Sequence, residues 1–170
     1  ASFYTWFGES FVLAKILNAL VVALSVALVF RIGDWAFGRT IGCLAAALPM
    51  IDWDQACQSM TLMSEPLGLG LFVSSVYLLI RGVKKEYPRD LFFSGLLFAF
   101  CNLARPLTLL AFPVYLACLF REYRRRGFDH RRTLRRVGLF ALGAALGLAP
   151  WLIRQKKVIG IWAITSKTAE

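Results

Sequence analysis

Histidine, acidic residues and paired cysteines are what this 170-residue chain is short of. It has one histidine, ten Asp and Glu against twenty Lys and Arg, and four cysteines. Cys43, Cys57, Cys101 and Cys118 stand on separate segments without Cys-x-x-Cys spacing, and His130 lies within a run of arginines. A Cys/His metal site cannot be assembled from such a set, and the cysteines read as small apolar helix residues. Charge is missing from long stretches as well. Residues 11–30 carry only Lys15, and 40–51, 66–80, 91–104, 107–120 and 137–153 carry no charge at all. What fills these stretches is apolar: 58% of the chain is hydrophobic, against roughly 45–50% in an ordinary soluble domain. The segments are apolar around the whole helix circumference, which leaves no face for water. The pattern predicts an all-α, polytopic transmembrane helix bundle of about six helices, some short or broken, forming a single membrane domain over 1–170.

The net charge of +10 invites a nucleic-acid reading, but the basic residues fill the gaps between apolar runs instead of lining one face of a soluble fold. They set orientation instead. A spanning helix needs about 20 residues to cross about 30 Å of hydrocarbon. The 30-residue stretch 91–120, with Arg105-Pro106 at its middle, is therefore either one long helix or a hairpin. A hairpin puts the clusters 81–89 and 121–136 on one face, as short cytoplasmic loops require. Alternating six helices then collects 14 of the 20 basic residues, those of 31–39, 81–89 and 121–136, on the cytoplasmic side. The eight arginines of 121–136 would orient the chain and attract anionic headgroups. Two small-xxx-small pairs, Gly38/Gly42 and Gly143/Gly147, allow close helix approach.

The outer side holds the unusual residues. Helices of 14 to 16 residues rise only about 21–24 Å, so their outer ends lie below the membrane surface. Arg105 then sits within the outer leaflet, where a guanidinium is tolerated facing a wet cavity or an anion. Pro49, Pro66, Pro106 and Pro150 stand at or near outer helix ends, as in broken helices lining a cavity. Ser64-Glu65-Pro66 reads as a helix start, with Ser64 the cap and Glu65 near the positive dipole end. Glu65 either serves that start alone or accepts hydrogen bonds from a substrate hydroxyl or amine. Asp52-Trp53-Asp54 is an interfacial loop, a sugar-binding pair or a divalent-cation pair. Lys15 either snorkels to the outer interface or meets a phosphate. Arg105 and Arg154 both end helices on this side; each either complements the dipole or binds phosphate bidentately.

On these residues the chain resembles the GT-C glycosyltransferases, the polytopic family that includes protein O-mannosyltransferases and lipid A aminoarabinose transferases. Phe7-Gly8-Glu9-Ser10, with Lys15 and Asn18, resembles the start of the family's second helix, where an Arg commonly occupies the Lys15 position. Ala45 to Pro49 followed by Ser64-Glu65-Pro66-Leu67 is similar to its helix, outer loop and acidic helix start. Asn102-Leu103-Ala104-Arg105-Pro106 matches its Arg-Pro hairpin. Pro150-Trp151-Leu152-Ile153-Arg154 is close to its Pro-Trp-x-x-Arg, with Gln155 where an Asn often follows. The resemblance implies an outer-facing cavity in which a sugar leaves a polyprenyl-phosphate carrier, with Arg105, Arg154 and Lys15 toward the phosphate and Glu65 toward sugar or acceptor. It implies no cofactor. The family's catalytic carboxylate lies in the first outer loop, so the chain reads as an internal piece lacking that loop and a C-terminal part, with the base upstream of residue 1.

The expectation is thus a membrane glycosyltransferase fragment acting on the non-cytoplasmic face, in a bacterial inner membrane in preference to the endoplasmic reticulum. Its partners are the bilayer and a lipid-linked sugar; nucleic acid is not among them. The alternative is a transporter or flippase, which an inverted repeat between 1–85 and 86–170 would favour; none is convincing. A structural membrane subunit without a site is the third possibility.

Overall fold

A computed structural model describes residues 11–51, 65–104 and 110–159. Among them are six helices and no strand: α1 (Phe11–Phe37), α2 (Arg39–Ile51), α3 (Glu65–Lys84), α4 (Pro88–Ala104), α5 (Phe112–Arg125) and α6 (His130–Ile159). The apolar runs 11–30, 40–51, 66–80, 91–104 and 137–153 each fall in one helix, and the described part of 107–120 enters α5 at Phe112. The basic residues cap helix ends more than they form loops. α1, α3 and α6 are long and apolar enough to cross a membrane; α2, α4 and α5, with 13, 17 and 14 residues, rise only about 20–26 Å.

The distribution of side chains is that of a protein whose solvent is hydrocarbon. Leu20, Leu24, Leu44, Leu48, Leu142 and Leu146 are all more than half exposed, while Ser75, Ser94, Asn102 and Thr133 are fully buried. A water-soluble fold reverses that order. The chain is an integral membrane protein with an all-α fold.

Two compact units divide it, Ala1–Gly70 and Leu71–Glu170. In the first, α1 and α2 form a tight helical hairpin around Gly38, whose φ of 94° lies in the left-handed region open to glycine. The close approach is made by Gly33 and Gly42. A Cβ on Gly33 would stand 2.7 Å from the Gly42 Cα, and one on Gly42 would stand 2.8 Å from the Asp34 nitrogen. The expected Gly38/Gly42 pair is corrected accordingly: Gly38 is the turn, and Gly42 packs on Gly33. Gly70, in the second turn of α3, packs against Val21 and Ser25.

In the second unit, α4 and α6 run parallel in close contact. A Cβ on Gly95 would collide with the Phe140 carbonyl oxygen, and one on Gly143 with that of Phe92. Gly147 faces Leu96 and Ala99, so the Gly143/Gly147 pair does mark a helix crossing. Beside it, Phe98, Phe112, Tyr115 and Phe140 form an aromatic core, with centroids of Phe98–Tyr115 and Tyr115–Phe140 at 5.0 and 5.6 Å, within the favourable range for ring pairs. α3 joins through reciprocal hydrogen bonds: the Ser75 hydroxyl donates to the Ser94 carbonyl at 3.0 Å, and the Ser94 hydroxyl to the Ser75 carbonyl at 2.7 Å. In an apolar medium such pairs bind helices because their loss strands polar groups.

The segment 91–120 is a hairpin, as the charge argument requires. Phe98 of α4 meets Phe112 and Tyr115 of α5, and both flanking basic clusters occupy one end of the unit. There Arg81 pairs with Asp90 at 3.0 Å, and Arg126 donates to the Val83 carbonyl at 2.9 Å, satisfying an orphan acceptor at the end of α3. α5 closes in a Schellman turn. Gly127 N–H donates to Arg124 and Phe128 N–H to Tyr123, Gly127 has φ 73°, and the Phe128 and Tyr123 rings meet edge-on at 5.5 Å, the apolar contact that accompanies this cap.

Candidate functional site

Of the candidate residues that are described, Lys15 and Glu65 belong to the first unit and Arg154 to the second. In the first unit, Lys15 is exposed, four residues past the start of α1. Glu65 is half-buried in the first turn of α3, followed by the buried Pro66. Pro supplies the fixed φ that a first turn needs, and the Glu65 carboxylate lies at the positive end of the α3 dipole. Ser64, Asp52, Trp53, Asp54 and 7–10 lie outside the described residues, as does Arg105. Among the described residues no three His, Cys, Asp or Glu side chains group as metal ligands.

In the second unit, Arg154 does not end its helix. α6 continues through Pro150 to Ile159, so the expectation of a helix end at Arg154 is corrected. A proline inside a helix deletes one hydrogen bond, which a membrane helix tolerates where neighbours re-satisfy the freed carbonyl. The cations that complement the α6 dipole are Lys156 and Lys157, in the last turn. Arg154 thereby loses its structural explanation as a C-terminal cation. It is exposed, with its guanidinium 5.9 Å from the Trp151 ring centroid, a cation–π contact that holds the charge near the surface without neutralising it.

The parallel packing also relates the end of α4 to this turn. Gly95 lies between Phe140 and Ala144, Gly143 between Phe92 and Leu96, and Gly147 between Leu96 and Ala99. Carried to the end of α4, the same register brings Ala104 level with Leu152 and Ile153. The next residue in the chain is Arg105. Two buried amides from the family-like motifs stand near this level. Asn102 is 1% exposed and donates from Nδ2 to the Phe98 carbonyl at 2.8 Å; Gln155 is 6% exposed. Each stands within three residues of a candidate arginine.

Residues 1–153 of this helical membrane chain match a family model, that of the dolichyl-phosphate-mannose-protein mannosyltransferases; the match ends one residue before Arg154. The chain belongs to this mannosyltransferase family. No curated protein and no solved structure matches it. The resemblance to GT-C glycosyltransferases therefore holds, and membership of the mannosyltransferase family makes the chain a membrane glycosyltransferase in general type.

Proposed function

We propose that this chain is the membrane portion of a glycosyltransferase that takes a sugar from a polyprenyl-phosphate donor and passes it to an acceptor on the non-cytoplasmic face, in a bacterial inner membrane. In this reading the general base lies in a first outer loop upstream of residue 1. The observation that carries this reading is the convergence of the α4 end and the Arg154 turn at one level of the α4–α6 pair, in a chain of the mannosyltransferase family.

The chemistry follows from that arrangement. Inverting transfer at a sugar carbon needs a carboxylate to take the acceptor proton and cations to stabilise the departing phosphate. Arg105 and Arg154 hold the carrier phosphate, where a bidentate guanidinium fits the leaving oxyanion. Glu65 accepts a hydrogen bond from a sugar or acceptor hydroxyl, and Lys15 adds a second positive charge at the outer leaflet. No step requires a cofactor. Asp52 and Asp54 supply the hard oxygen ligands a divalent cation would take, and chelation of a purified active enzyme tests that separately.

In the full-length protein, Arg105→Ala and Glu65→Gln are expected to abolish transfer with membrane levels unchanged. Full activity in both would overturn the site. For sidedness, Asp129→Cys in a chain freed of its own cysteines is expected to resist impermeant thiol reagents added from outside, and labelling there would reverse the orientation.

A further inference from the structure

The basic end of the second unit contains a groove of 340 Å³ whose walls include Glu86, Pro88, Phe128, Arg132, Arg135 and Arg136. Its construction follows from the local folding described above. The Schellman turn sets Phe128 against Tyr123, and the Arg136 guanidinium lies over both rings, 5.2 Å from Tyr123 and 5.1 Å from Phe128. Arg136 is thus held in place as part of the wall. Its Nη2 meets the Glu86 carboxylate only at 3.4 Å, a long contact, and Glu86 is half exposed. Arg132 and Arg135 are exposed at the rim and project from the same helix three residues apart, so they share a face.

The placement of these charges is the informative point. Arg124 and Arg125 lie in the last turn of α5, where cations complement the negative helix end. Arg131, Arg132, Arg135 and Arg136 lie in the first two turns of α6, whose first turn has no acidic residue. There they meet the positive end of the dipole and one another. Asp129, immediately before the helix, is the one carboxylate at that position in the sequence. Four cations at a helix N-terminus, beside a groove with apolar Phe128 and Pro88 on its walls, are stabilised when an anion with an apolar attachment occupies it.

We propose that this groove binds the phosphodiester headgroup of an anionic phospholipid in the leaflet at the basic end, with Arg132 and Arg135 on the phosphate oxygens. Guanidinium forks match such oxygens bidentately, and basic pockets among membrane helices recognise headgroups in this way. The groove lies at the N-terminal end of α6, whereas Arg154 stands near the other end of that helix.

The test uses the full-length protein in phosphatidylcholine nanodiscs titrated with phosphatidylglycerol, with retained lipid counted by native mass spectrometry. Arg132→Gln with Arg135→Gln is expected to weaken retention about thirtyfold, as two headgroup contacts at a membrane surface imply. Glu86→Gln should strengthen retention by removing the competing carboxylate. Arg121→Gln with Arg124→Gln removes the same charge outside the groove and is expected to leave retention unchanged. Equal loss in that control pair would mean diffuse attraction and would overturn the site. Displacement of the lipid by inorganic phosphate alone would show a free-anion site instead and overturn the lipid assignment. Matching thermal midpoints of the two double variants exclude misfolding as the cause.

Discussion

The two ends of the second unit use arginine in opposite ways. At the basic end the guanidiniums have intramolecular work: Arg81 on Asp90, Arg126 on the Val83 carbonyl and Glu122, Arg136 over two rings. At the other end Arg154 has a ring beneath it and no carboxylate in its part of α6. The first set joins helix ends and resists their separation. The second keeps its charge available, which is costly near hydrocarbon unless an anion compensates. Arg81, Arg126 and Arg136 thus serve architecture, whereas the exposed Arg154 at one end and the exposed Arg132 and Arg135 at the other are the arginines proposed above to meet anions, and the difference lies in whether the hydrogen-bond donors are already committed.

Paired substitutions separate the two roles. Arg154→Ala should lower turnover of the full-length enzyme about 10²–10³-fold, the usual cost of removing one donor to a developing oxyanion, with an unchanged thermal midpoint in detergent. Arg126→Ala should do the reverse, losing about 1 kcal/mol of stability while specific activity at low temperature persists. If both variants lose stability and activity together, the contrast between the ends fails.

Packing between the ends provides a second discriminator. Gly95→Leu places a side chain where even a Cβ meets the Phe140 carbonyl, and overpacking of this kind costs about 1–3 kcal/mol. Since the α4–α6 register also aligns Ala104 with the Arg154 turn, activity should fall by more than stability alone explains. Proportional loss would detach the register from the site. The smallest expected effect is that of Ser75→Ala, which leaves the Ser94 carbonyl without its side-chain donor. About 0.6–1 kcal/mol is expected from such membrane pairs, read as a lowered midpoint with unchanged turnover.

Much of this was legible in advance. Five uncharged runs and one carrying only Lys15 became six helices among the described residues, because a helix satisfies its backbone groups within its own segment in lipid. The hairpin over 91–120 followed from placing two basic clusters on one face, and the structure joins those clusters through Arg126 and Arg136. Gly33 was not legible as a packing residue, because its partner Gly42 lies across a turn and shares no helical spacing with it. The Ser75–Ser94 clamp was equally invisible: two serines 19 residues apart have no signature until two helices face each other. Arg154 was misjudged as a helix terminus because Pro150 signals an end in water, where no neighbour compensates the lost hydrogen bond.

The amino-acid pattern alone is enough to make the chain an all-α membrane protein and to single out the few charges that need an explanation. Those properties depend on composition and local periodicity, and a bilayer enforces them segment by segment. Which arginines are already engaged, the register of α4 on α6 that brings the end of α4 level with the Arg154 turn, and the groove beside the cations at the start of α6 emerge from helix packing. These depend on close approach between residues far apart in the chain, which glycine backbones and aromatic rings permit and periodicity does not encode.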